Sequence, residues 1–195
     1  PTPENTAMMR ALYLALTTEV DHHFGRIIAH LKATGQYENT VIIVTADPGE
    51  MLGDHHGWGT MHSFDAAFRT PLIIRVPGRG TAGTHLSAPT ESIDITPTIL
   101  DLLELSIPDS MDGRSLMTLM DAQLPDDWRR FTISELDFGD PVTPTPWQTV
   151  LGLTSDQCNL SVLRDERHTL VQFGGELPPI LFDHHGDGET RNIAD

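Results

Sequence analysis

A single cysteine, Cys158, in 195 residues excludes an intramolecular disulfide and a thiolate-rich zinc site. It fits a reducing compartment, and on that ground the cytoplasm is the favoured location. Basic side chains are scarce as well: 12 against 28 acidic ones give a formal charge of -16, which argues against nucleic acid or an anionic membrane surface as a partner. No apolar run is long enough to span a bilayer, and no basic-then-apolar start resembles a signal peptide. The first residue is Pro1 and not methionine, so the natural start, with any leader, is expected upstream. Internal repeats and low-complexity tracts are missing too.

What is present is the composition of a globular protein, 38% hydrophobic and 21% charged, at a length suited to one domain or one and a half. Tyr13, Leu16, Val20, Phe24, Ile27 and Leu31 recur at spacings of three and four, which predicts an amphipathic helix ending near Gly35. Its polar face carries Glu19, Asp21, His22, His23 and Arg26. Adjacent histidines point about 100° apart on a helix, so His22 and His23 read as solvated surface. Val41, Ile42, Ile43 and Val44 show no alternation, which predicts a parallel strand covered on both faces. Pro71 to Gly78 reads as a second buried strand closed by a turn. Helix followed by buried strand is the α/β pattern.

Between these strands a short helix is expected from Phe64 to Phe68, and after them a turn from Gly78 to Gly83 and an extended piece from Ser87 to Ser92. Asp94 is placed to cap a helix bearing Ile95, Thr98, Ile99, Leu102 and Leu103 on its apolar side. From Pro108 the texture changes to turns and short β-like runs at residues 131–134, 148–153, 160–163 and 168–173. Their spacing predicts antiparallel hairpins in a smaller appended sheet.

The stretch that organises the chain starts at Thr40, runs through the valines and isoleucines to Asp47, and continues in a loop to about Ser63. That loop is long for a connection and holds four glycines, Trp58 and the histidines His55, His56 and His62. A carboxylate at a strand end is where α/β sheets collect ligands. The pattern alone leaves two readings open. Asp47 with nearby acidic and imidazole groups is suited to a divalent cation; equally, Asp47 bonds loop amides, the histidines are exposed and Trp58 anchors the loop.

The run from Asn39 to His55, centred on Asp47-Pro48-Gly49-Glu50-Met51-Leu52-Gly53-Asp54, resembles a signature segment of sulfatases and of their relatives the phosphonate monoester hydrolases, within the alkaline phosphatase superfamily. The likeness continues in order: Glu19-Val20-Asp21 and Gly25 before it, then Thr70 to Gly78, Asp94 to Asp101, Asp112-Gly113-Arg114-Ser115-Leu116, Leu163 to Arg167, Leu181-Phe182-Asp183 and Glu189 to Asn192. It covers the chain nearly end to end.

The resemblance implies an α/β fold: residues 1–107 as the carboxyl-terminal part of an alkaline-phosphatase-like α/β/α catalytic domain, and residues 108–195 as a small α+β subdomain with an antiparallel sheet. It implies hydrolysis of small sulfate, phosphate or phosphonate esters with one divalent metal, calcium, manganese or magnesium. The nucleophile in such families is a formylglycine made in a C/S-x-P-x-R motif. Cys158 is followed by Asn159-Leu160-Ser161 and lacks that context, so the nucleophile is expected outside this chain and Cys158 is read as a structural thiol. Asp47 matches the metal-binding aspartate. Pro48 stands where the family has histidine or asparagine, and Thr60 where it has a substrate-contacting lysine. His55, His56 and His62 are the neighbours that could substitute in the pocket, while Glu50 and Asp54 are read as accepting amide hydrogen bonds within the loop. A degenerate, non-catalytic binding module is the alternative. A sheet edge separated from its neighbours also predicts self-association.

Overall fold

Thr2 and Pro3 begin the first helix because proline suits the first helical position, where its missing N–H is no loss, and because the Thr2 hydroxyl accepts a bond from Asn5 N (3.2 Å). A computed structural model describes residues 2–80, 82–121 and 124–194. These fall into two units, residues 1–79 and 80–195.

In the first unit, helix α1 spans Pro3–Ala33, ten residues earlier than the spacing from Tyr13 predicts. It ends as expected at Gly35 (φ 70°). There Gly35 N donates to the Lys32 carbonyl and Gln36 N to the Leu31 carbonyl, the paired closing bonds of a helix that stops in the left-handed conformation. Strands β1 (Ile42–Thr45), β2 (Met51–Leu52) and β3 (Trp58–Gly59), the short helix α2 (Asp65–Phe68) and strand β4 (Leu72–Arg75) follow.

β1 pairs with β4 antiparallel, Ile42 opposite Arg75 and Thr45 opposite Leu72. The expectation of a parallel strand fails here, for a topological reason. A parallel pair needs a crossover of a dozen residues or more, usually a long helix, and the connection from β1 to β4 contains only the four-residue α2 and a hairpin. An unalternating apolar run reports two-sided burial and carries no information about direction. Nor is the run buried within this chain: β1 is half-covered, and Ile73 on β4 is 63% exposed. Arg75 fixes the start of β1, donating to the carbonyls of Tyr37 (2.7 Å) and Thr40 (3.1 Å) with its guanidinium carbon 3.8 Å from the Tyr37 ring centre.

The second unit holds α3 (Ile95–Leu102), α4 (Met117–Met120), β5 (Thr132–Asp137), α5 (Pro146–Leu151), β6 (Asn159–Arg164), β7 (His168–Phe173) and β8 (Ile180–Asp183). The four strands form one antiparallel sheet in the order β5-β6-β7-β8, the hairpin arrangement that the spacing predicts. Leu160, Val162, Thr169, Val171 and Phe182 alternate into one buried face, as a one-sided sheet requires. One expectation is overturned. Residues 148–153 are not a strand: Thr145 and Gln148 form a reciprocal capping box, Pro146 opens the helix and Gly152 (φ 66°) closes it, so local capping overrides the β-branched residues. The extended piece expected at 87–92 joins no sheet among the described residues; it ends at the extended Glu91 (φ -130°) and leads into the single turn Ser92–Asp94 that precedes α3. The turn expected at 78–83 includes Thr81, which lies outside the described residues.

Asp94 precedes α3 as foreseen, yet its carboxylate does not cap that helix. It accepts bonds from Glu91 N and Arg114 N (2.8 Å each) and a two-pronged contact from Arg129 (2.6 and 2.7 Å). Thr98 Oγ1 donates to the Asp94 carbonyl (2.6 Å) and accepts from Leu116 N (2.9 Å), which ties α3 to α4. Cys158 is buried, and burial, helped by the Asp156 carboxylate, pushes its thiol pKa up, as suits an unreactive packed thiol.

At the end of β8, Arg167 grips Asp183 (2.8 Å) and holds its carboxyl at about 2, with the His185 amide also lowering it. A depressed folded-state pKa stabilises the fold above the ordinary value of 3.8 and loses that contribution as pH falls toward about 2. Arg167→Ala is therefore expected to reduce the acid sensitivity of unfolding between those two values. Urea unfolding at pH 5 and pH 2.5 checks this, and an unchanged pH dependence contradicts it.

Candidate functional site

Asp47 and Pro48 lie just past the end of β1, both exposed, and the peptide bond between them is cis. Gly49 then passes against α2: its N–H donates to the Ala67 carbonyl (2.9 Å), and a Cβ there would collide with the Ala66 carbonyl oxygen. Only glycine allows that approach, so the chain leaving Asp47 is anchored one residue beyond Pro48.

β2 and β3 form a hairpin with Met51 opposite Gly59 and Leu52 opposite Trp58, and Met51 is completely buried. The tip between them holds His55 (φ 49°) and His56 (φ 61°), two consecutive left-handed residues that are not glycine. That conformation costs about 1 kcal/mol per residue. It is maintained by bonds from Gly53 N to the Gly57 carbonyl (2.9 Å) and from Gly57 N to the Asp54 carbonyl (2.8 Å), and by stacking of His55 on Phe64 at 3.9 Å. His62 is half-buried, its Nε2 donating to the Trp58 carbonyl (3.1 Å) while its ring covers Gly57. Thr60 follows β3, half-buried.

The loop thus brings His55 and His62 into structural contacts of its own, with His56 exposed beside them. Asp54 is met from outside the loop and not by the loop amides expected: Arg10 of α1 donates from Nε to the Leu52 carbonyl (2.8 Å) and from its guanidinium terminus to Asp54 (3.1 Å). Sequence reasoning did not reach Arg10. The available signal was its position as the one charge in the apolar stretch from Ala7 to Leu16. Both partners of this ion pair are about half exposed, so Arg10→Ala is expected to cost no more than about 1 kcal/mol of stability. Its effect is local: amide exchange at residues 51–57 should accelerate selectively. Uniform acceleration across both units contradicts this.

Among the described residues no group of three or more histidine, cysteine, aspartate or glutamate side chains is placed to hold a metal ion. One aspartate does not make a cation site, since hard divalent cations take six or more oxygen ligands. The residues present therefore do not themselves fit the metal; Asp47 is a suitable single oxygen ligand. Among the described residues no helix is long and apolar enough to cross a membrane.

A family model described as Sulfatase matches residues 1–105. The multifunctional alkaline phosphatase superfamily protein PehA of Trinickia caryophylli is 42% identical over 188 residues, 95% of this chain and 36% of that protein. Among solved structures, the phosphonate monoester hydrolase SpPMH from Silicibacter pomeroyi superposes with a TM-score of 0.96 at 55% identity, covering all of this chain and 38% of the other. The phosphonate monoester hydrolase of Agrobacterium radiobacter superposes at 0.92 with 40% identity, covering 99% and 38%. The mixed α/β architecture with small antiparallel sheets is thus the alkaline-phosphatase-like sulfatase fold. This chain spans less than two fifths of the length of each of these relatives.

Proposed function

Because the chain belongs to the sulfatase family, we propose that it is one part of a metal-dependent hydrolase of sulfate, phosphate or phosphonate esters, to which it contributes Asp47 and the pocket loop ending at His62. The observation that carries this reading is Asp47 at the exposed end of β1, followed by a loop anchored on both sides by Gly49 and Arg10. A carboxylate just beyond a strand end, in a chain anchored two residues later at Gly49, is placed to serve as one ligand. In the complete enzyme a divalent cation would polarise the ester and offset charge developing on its oxygens. The nucleophile and the remaining ligands belong to the part of the relatives that this chain does not match, and the catalytic portion of the chain extends to about residue 107.

The 55% identity to a phosphonate monoester hydrolase favours phosphonate or phosphate esters over sulfate esters. A second reading has its own observation. Pro48 offers no side-chain donor or acceptor and Thr60 only a short neutral hydroxyl, at the two positions where the family resemblance implies an ester-contacting histidine or asparagine and a lysine. On that reading the assembly binds an ester or a partner without turning it over.

The isolated chain is expected to release no nitrophenol from nitrophenyl sulfate or nitrophenyl phenylphosphonate. A chimera is the informative protein: this chain fused to the portion of the Silicibacter pomeroyi enzyme outside the match. Weak hydrolysis that a chelator abolishes and added manganese restores supports the catalytic reading. Turnover by the isolated chain, or chelator-insensitive turnover by the chimera, contradicts it.

A further inference from the structure

Strands β5 and β6 are antiparallel neighbours, and such a pair needs a connection of only about two to five residues. Here residues 138–158 intervene, closed at the base by Phe138 N donating to the Cys158 carbonyl (2.8 Å). A connection of this length between adjacent strands indicates a task of its own.

The excursion holds its shape by its own bonds. The Asp140 carboxylate accepts from Val142 N (2.7 Å) and Thr143 N (2.8 Å). The buried Gln148 accepts from Asp140 N (2.7 Å) and Thr145 N (2.8 Å) and donates to the Asp140 carbonyl (3.2 Å). Pro141, Pro144 and Pro146 restrict the backbone further. On this scaffold α5 presents Trp147, Val150 and Leu151, the last two being three and four residues after the first and so on one face of the helix. They are 62%, 78% and 43% exposed.

Charge identifies the occupant of that face. The chain has a formal charge of -16, yet residues 141–155 contain no charged side chain, the longest such stretch in the sequence. Two copies repel each other through most of their surface, whereas two of these tips meet without bringing carboxylates together. A basic partner would find no carboxylate on the face, and an acidic one no cation. Tryptophan with aliphatic side chains, free of charge, is the composition of an interface centre, and the bonded scaffold keeps the ordering cost low. The area agrees: the three side chains leave on the order of 350 Å² uncovered, and with Pro146 and Thr149 beside them a pair of copies would cover roughly 1,000 Å², the lower bound for a specific contact.

We propose that the α5 face is the centre of a two-fold interface between copies of this chain, Trp147 and Val150 of each packing on α5 of the other. The inference stands apart from the ester reading, since neither Asp47 nor the loop to His62 enters it.

Sedimentation velocity of the whole 195-residue chain is expected to show monomer and dimer in exchange, with a dissociation constant on the order of micromolar. Trp147→Glu and Val150→Glu should each weaken the dimer at least about tenfold, because a two-fold contact sets the new charge near its own copy. Leu14→Glu, on α1, should leave the dimer unchanged. Circular dichroism of the variants should match the parent, as these side chains are exposed. Val150→Cys is a second probe that adds no charge: mild oxidation should cross-link two copies at position 150, while the parent, whose Cys158 is buried, stays uncross-linked. A parent chain that remains monomeric well above micromolar concentration overturns the proposal, as does self-association that Leu14→Glu abolishes and Trp147→Glu does not. In the chimera, Trp147→Glu should lower the mass and leave the melting temperature unchanged. A lowered melting temperature at unchanged mass would place the α5 face inside one molecule and overturn the proposal.

Discussion

Restoring Pro48→His and Thr60→Lys together in the chimera is expected to raise turnover of a nitrophenyl phosphonate ester on the order of 10²–10⁴-fold. Proline has neither a proton to give nor a lone pair to offer on its side chain, and a threonine hydroxyl holds no charge. On the proposed reading, histidine at position 48 would supply a group that donates, accepts or binds metal, and lysine at position 60 a cation for an anionic ester. Contributions of single acid–base or electrostatic groups fall in this range. On the far side of Pro48 the chain is already anchored, Gly49 N donating to the Ala67 carbonyl. Steady-state kinetics of the four combinations distinguishes the readings. A large gain shows a pocket that decayed at two positions, whereas no gain in any combination favours a binding role.

Arg129→Ala is expected to destabilise the second unit by about 3–5 kcal/mol, the cost of leaving a buried carboxylate without its partner. Asp94 is completely buried and receives both prongs of the Arg129 guanidinium, which also reaches Glu91 at 2.7 Å. Glu91 in turn accepts from Ile133 N (2.6 Å) at the start of β5. One arginine therefore ties the turn before α3 to the first strand of the sheet. Since domains have only about 5–15 kcal/mol in total, the loss should leave this unit partly unfolded at 37 °C. Urea denaturation followed by Trp128 fluorescence measures it, and a shift below about 1 kcal/mol contradicts the account. Arg129→Met with Asp94→Leu should recover only part of the loss, because Glu91 keeps its charge without Arg129 and the amides of Glu91 and Arg114 lose their acceptor.

Much of this architecture was legible in the chain because it is written locally. The spacing from Tyr13 to Leu31 announced α1, and short β-like runs announced β5, β6 and β7. Where the reading failed, the deciding contacts were distant in sequence or the signal was ambiguous in kind. The direction of β1 depends on a partner thirty residues away. Residues 148–153 carry β-branched side chains, yet Thr145, Pro146 and Gln148 decide for helix. The first ten residues of α1 continue no apolar stripe, since polar Glu4, Asn5 and Thr6 precede a nearly uniform apolar stretch, so periodicity could not reveal them. Asp94 was recognised as a residue before a helix; its true partners, Arg114 and Arg129, lie 20 and 35 positions on.

The candidate site was legible in another way. Composition and spacing left Asp47 undecided between ligand and loop brace, and only the ordered resemblance to sulfatases favoured the ligand. Arg10 stands out as the one charge from Ala7 to Leu16, but its acceptor lies 42 residues on, and that isolation does not say which group it meets. The histidines of the loop drew attention by number, while His55 and His62 prove to be engaged in holding the hairpin tip, one stacked on Phe64 and the other bonded to Trp58.

The central claim is that Asp47 is one ligand of a divalent-cation site completed by residues outside this chain. Manganese titration of the chimera by electron paramagnetic resonance, beside its Asp47→Asn variant and the isolated chain, tests it most directly. One tight equivalent in the chimera, weakened at least about tenfold by Asp47→Asn and missing in the isolated chain, is the predicted result. Equal binding by the chimera and its Asp47→Asn variant would contradict the claim.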